Sequence, residues 1–87
     1  GSCWLSQPIL EEFVQAEYRY RARADFHLGG GPVRYHLEQG PAWLAIDSGG
    51  GLLRGRPPAV GDYAVVLVAE AGGERLTQAF TLSVIAP

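Results

Sequence analysis

Apolar and polar residues alternate along most of this chain. Tyr18, Tyr20, Ala22 and Ala24 interleave with Arg19, Arg21 and Arg23. Val33, Tyr35 and Leu37 interleave with Arg34, His36 and Glu38. Tyr63, Val65, Leu67 and Ala69 occupy every second position of residues 63–70, and Phe80, Leu82 and Val84 do the same within residues 76–85. A period of two sends successive side chains to opposite faces, which is what a strand with one buried face requires. Shorter pieces at residues 11–16, 43–46 and 52–56 predict further strands. The breaks between them are Gly29-Gly30-Gly31-Pro32, Gly40-Pro41, Asp47-Ser48-Gly49-Gly50-Gly51, Pro57-Pro58 and Ala71-Gly72-Gly73-Glu74. No stretch of ten residues holds a 3.6-residue period; residues 9–16 have the composition of a single helical turn only. Six or seven short strands separated by turns predict an all-β, antiparallel β-sandwich.

Composition narrows the picture. The chain has 87 residues and 47% hydrophobic residues, enough for one packed domain and too ordered a composition for global disorder. Gly1-Ser2 reads as a cloning remnant, leaving residues 3–87 as a single domain. The net charge of −2 excludes a domain-wide grip on nucleic acid. No apolar run is long enough to span a membrane as a helix. The single cysteine, Cys3, allows neither an internal disulfide nor a Cys-rich zinc site.

Five stretches together are similar to a known family. They are Tyr18-Arg19-Tyr20; Tyr35-x-Leu37 followed by Pro41-Ala42-Trp43-Leu44-x-Ile46-Asp47; Gly51-x-Leu53-x-Gly55-x-Pro57; Gly61-x-Tyr63-x-Val65-x-Leu67-x-Ala69; and Phe80-x-Leu82-x-Val84. Their order and spacing resemble the immunoglobulin-like, dystroglycan-type cadherin-like modules of large secreted and surface proteins. The resemblance implies a seven-stranded immunoglobulin- or cadherin-like sandwich at the cell surface or outside it, the periplasm included. It implies a non-enzymatic role as spacer or docking/adhesion domain for adjacent domains of a parent protein or for another protein. Some members carry an Asp-rich loop after the second strand and an Ala-x-Asp near the end of the sixth. Here the loop holds only Asp25, and Ala69-Glu70-Ala71 stands at the second place. Ca²⁺ takes ~6–8 oxygen ligands. No cofactor is therefore expected of the isolated domain, and a calcium site would need acids from a neighbour.

The residues offer few candidates for chemistry. His27 and His36 have no ligand-spaced partner. Ser6, Ser48 and Ser83 lack the G-x-S-x-G setting of a nucleophile. Adjacent Glu11 and Glu12 point to opposite faces of a strand and cannot share a substrate. No catalytic activity is expected. Two features stand out. Arg19, Arg21 and Arg23 share one strand face and Arg54 and Arg56 another. If those strands are neighbours, five guanidiniums form one anionic-ligand face, suited to an acidic glycan; the plainer reading is a solvated face neutralised by Glu11 or Glu17. The sixth strand is apolar on both faces, with Ala64, Val66 and Val68 opposite its core residues. That second face is either a partner-docking surface or is covered by Arg34 and His36. Trp4 and Trp43 serve either as stacking platforms for sugars or as plugs at the ends of the sandwich. A carbohydrate-recognition accessory module is thus the alternative function.

Overall fold

A computed structural model of the chain describes residues 1–27 and 31–87. The expected break at Gly29 and Gly30 lies outside the described residues. Among the described residues there is no helix, and nine strands form: β1 (Cys3–Trp4), β2 (Glu11–Phe13), β3 (Tyr18–Arg21), β4 (Ala24–Asp25), β5 (Arg34–Gln39), β6 (Leu44–Ile46), β7 (Leu52–Gly55), β8 (Gly61–Ala71) and β9 (Glu74–Ile85). One sheet has the order β2-β9-β8-β5, a second β3-β7-β6, and β1 pairs with β4 alone.

The alternation read in the sequence is what buries the core. Tyr18, Tyr20, Leu44 and Leu53 from the three-stranded sheet meet Tyr35, Val65, Leu67, Ala69, Leu82 and Val84 from the four-stranded one in a single apolar cluster. Arg19 and Arg21 alternate outward between buried tyrosines. The two longest strands, β8 and β9, are joined by Gly72 and Gly73, both at positive φ (56° and 83°), the backbone a two-residue hairpin of primed type needs. Gly55 is required for a different reason. A Cβ there would run into the Trp43 carbonyl oxygen and approach Trp43 Cε3 to 3.1 Å. Trp43 in turn sets its ring edge-on to Tyr63, with centroids 5.1 Å apart. Asp47 opens the β6–β7 turn by accepting the Gly50 N–H at 2.6 Å.

Polar groups of the N-terminal segment bind it along β9. Trp4 Nε1 donates to the Thr77 carbonyl at 3.1 Å and Gln78 Nε2 to the Ser6 carbonyl at 3.0 Å. Further on, Ser83 N donates to Leu10 O and Val14 N to Ile85 O, each at 2.9 Å. Tyr20 joins the two sheets through this segment: its hydroxyl donates to Gln78 Oε1 at 2.8 Å and accepts from Ser6 Oγ at 2.7 Å. Burial raises the Tyr20 pKa. It raises that of Tyr18 further, whose hydroxyl donates to Ile9 O at 2.8 Å.

Two expectations are corrected. The described residues form nine strands rather than seven, because Cys3–Trp4 forms a strand of its own and residues 18–25 are not one strand. After Arg21 the backbone donors leave β7: Ala22 N turns to Gly51 O, and Arg23 N to Ser6 Oγ. Ala24 and Asp25 then pair with Trp4 and Cys3. The pairing is not wholly antiparallel either, since β2 lies parallel to β9, with Glu11 opposite Ser83 and Phe13 opposite Ile85. The Ser2 hydroxyl donates to Glu74 Oε2 at 2.7 Å and accepts from His27 N at 2.8 Å.

Candidate functional site

The outer face of the three-stranded sheet carries the site. β3 and β7 are neighbours in antiparallel register, with Arg19 opposite Arg54 and Arg21 opposite Leu52. Paired residues share a face, so Arg19, Arg21 and Arg54 stand together on the solvent side. Ala45 of β6 flanks Arg54 on its other side. Arg21, Ala45, Ile46, Asp47, Leu52 and Arg54 line a cleft of about 410 Å³. Leu52, Ala45 and Ile46 are its apolar lining, Ile46 also standing opposite Leu53 and packing against the core.

The charges around the cleft are unequally engaged. Arg19 forms an exposed ion pair with Glu17 at 3.1 Å. Arg21 Nη1 donates to the Gly50 carbonyl at 3.1 Å, which fixes the guanidinium over the turn. The Asp47 carboxylate is occupied by the Gly50 N–H, so the one acid of the cleft already has a donor. Among the described residues the Arg54 guanidinium has no hydrogen-bond or ion-pair partner. An Arg fork beside an apolar lining can hold a carboxylate or sulfate by paired N–H donors while a ring rests on the lining.

The five-arginine face is therefore smaller than expected. Arg23 falls in the break between β3 and β4, and Arg56 lies beyond β7, where its Nη1 donates to the Gln15 carbonyl. Neither lines the cleft. Ala45, Ile46, Asp47 and Leu52 were the parts missed by sequence reasoning. The available signal was Leu52-Leu53, two consecutive apolar residues in a short strand, which places one of them on the outer face.

On the opposite sheet the three residues expected of a docking surface differ in exposure. Ala64 is exposed and Val66 half-buried, but Val68 is 0% exposed. Arg75 on β9 pairs with Glu38 on β5, and β8 lies between those strands, so this ion pair crosses the outer face of β8. His36 Nδ1 reaches Glu70 Oε1 at 3.5 Å on the same face. These side chains close over Val68, which has no area left for a partner. Trp4 packs against the core beside Tyr35 and is not a free platform; Trp43 is half-buried against Tyr63. His27 is exposed and donates its backbone N–H to Ser2. Cys3 is an exposed free thiol. Among the described residues no three His, Cys, Asp or Glu side chains gather as metal ligands would.

No protein-family model matches the chain, and no curated protein is similar to it. Solved structures do share its architecture. An α-galactosidase candidate from Bacteroides fragilis matches with a TM-score of 0.80 at 22% identity, over 95% of this chain and 17% of that one. An α-galactosidase/melibiase candidate from the same organism matches with the same values. An endo-fucoidan hydrolase of glycoside hydrolase family 107 matches with a TM-score of 0.76 at 20% identity, over 99% of this chain and 14% of that one. At these identities the likeness is one of fold. This all-β architecture thus recurs as a small part of larger, glycosidase-related proteins.

Proposed function

We propose that this chain is a non-catalytic accessory module of a larger glycan-active protein outside the cytoplasm. In this reading it is an immunoglobulin- or cadherin-like spacer that holds neighbouring domains in line. The observation that carries the reading is the asymmetry of coverage: nearly all of this chain matches 14–17% of the solved glycosidase-related chains. Two features of the fold support it. The parallel β2–β9 seam beside two facing sheets suits an immunoglobulin-like sandwich. In addition, Ser2 is held at Glu74, where β9 begins, and Phe13 lies opposite Ile85, where β9 ends, so the first and last residues are separated by the longest strand. The molecule extends 43 × 19 × 16 Å. Domains joined at its two ends would sit apart along the 43 Å axis, and Leu10, Phe13, Val60 and Ile85 give one end an apolar surface for a neighbour to cover.

The test is an assay of the isolated chain on aryl α-galactosides and on fucoidan. The expected result is no release of aglycone or reducing ends. Release that follows the purified protein in proportion to its concentration would overturn the accessory reading. The same reading assigns no resident calcium, so the melting temperature should be unchanged by excess chelator.

A further inference from the structure

We propose that the cleft between Arg21 and Arg54 binds an acidic group, a sulfate ester or a uronic carboxylate, of a polysaccharide. The anion chemistry rests on the cleft alone. Arg54 is flanked by Arg19 and Ala45, and no carboxylate among the described residues neutralises it. Arg19, directly opposite Arg54, has its own charge engaged by Glu17, so the uncompensated positive charge at this place on the face is that of Arg54. Arg21 is tethered to the Gly50 carbonyl, so its guanidinium is oriented before any ligand arrives and less rotamer entropy is lost on binding. Asp47, the one acid lining the cleft, is outnumbered by Arg21 and Arg54, which leaves the lining with a positive excess.

The shape adds a second requirement. The cleft of about 410 Å³ lies open on a sheet face, with Leu52, Ala45 and Ile46 as its apolar lining beside Arg21 and Arg54. An open cleft with an apolar lining beside charged groups fits a ring that carries its charge at one edge and continues at both ends, as a sugar unit within a polymer does. The choice of a saccharide over an acidic peptide rests on the accessory reading above.

Affinity gel electrophoresis of the intact chain at low ionic strength tests this, with dextran sulfate, polygalacturonate, neutral dextran and polyglutamate in separate gels. Wild type should be retarded by dextran sulfate, by polygalacturonate or by both, and not by neutral dextran. Retardation by one of the two identifies sulfate or carboxylate as the group recognised. Arg54→Ser should weaken retention on the order of tenfold, the loss of a charge-assisted pair. Arg34→Ser, on the other sheet, should stay within about twofold, as expected of a charge remote from the ligand. Because the Arg54 guanidinium has no hydrogen-bond or ion-pair partner among the described residues, Arg54→Ser should melt as wild type does. Arg21→Ser serves as the second variant, with its melting temperature checked because it loses the Gly50 tether. Absence of retardation overturns the proposal. So does retention by polyglutamate alone, or an equal loss in Arg34→Ser, which would mean diffuse attraction without a site. Aglycone release in the earlier assay would sink the accessory reading and leave the anion result standing; failed retention would do the reverse.

Discussion

Single residues in this domain are fixed by what lies directly against them. Gly55→Ala would press a methyl group into the Trp43 carbonyl, and backbone cannot move aside as a flexible side chain can. The expected loss is about 3 kcal/mol in urea unfolding, at the upper end of overpacking effects. Gly49→Ala, with nothing within 4 Å of the added carbon, should stay within about 0.5 kcal/mol of wild type. Gln15 occupies the left-handed region at φ 68°, in the turn between β2 and β3. Gln15→Val should destabilise by more than about 1 kcal/mol, since a β-branched side chain tolerates that backbone worst. The two buried tyrosines set a pH limit. Both have pKa values raised above the ordinary 10.0 by burial. The unfolded chain therefore releases these protons first as pH rises, and the folded state keeps them. Stability is fully present below about pH 10 and falls above it, by up to about 1.4 kcal/mol per pH unit per tyrosine. Tyr18→Phe should flatten this alkaline decline in denaturant midpoints measured between about pH 9 and 12.

At the scale of strands, the outer face of β8 buries one residue completely, Val68. Val68→Ala should cost about 2 kcal/mol, as a fully buried truncation does, whereas Ala64→Ser on the same face should be nearly neutral. Breaking the covering pair with Glu38→Gln should cost less than about 1 kcal/mol, because both partners are half exposed. The strands legible in the sequence were those whose burial enforces alternation. Tyr63, Val65, Leu67 and Ala69 could be placed inward because a one-residue slip would expose all of them. The adjacency of β3 and β7 was likewise expected, and with it the meeting of Arg21 and Arg54. Three features were not legible, and each depends on long-range hydrogen bonds rather than on period. The two-residue pairing of β1 with β4 joins Cys3 to Asp25 across the chain. The parallel run of β2 along β9 is fixed by contacts such as Ser83 N to Leu10 O. The roof over Val68 comes from Arg75 and Glu38, which are 37 residues apart. Arg23 and Arg56 stand outside the cleft, with local partners set by Ser6 and Gln15.

For the whole molecule, the placement of the two ends at opposite tips of β9 is directly measurable. Cys3 is exposed and unique, so Ile85→Cys supplies a second label without disturbing the core. The eleven steps from Glu74 to Ile85 span about 37 Å at ~3.4 Å each. Spin-label or fluorescence distances between positions 3 and 85 should centre near 35–40 Å, and a value below about 25 Å would refute the end-to-end arrangement. The parallel seam gives this geometry a mechanical meaning. Tension between the two ends would drag the N-terminal segment and β9 past each other along a common axis. Every bond from Trp4–Thr77 to Val14–Ile85 would then carry load at once. Pulling instead across the open ends of the β8–β9 hairpin would part its bonds one at a time. The domain should therefore resist stretching from its termini at markedly higher force than peeling from that hairpin, which makes the direction of pull, more than the stability of the fold, the quantity that sets its strength.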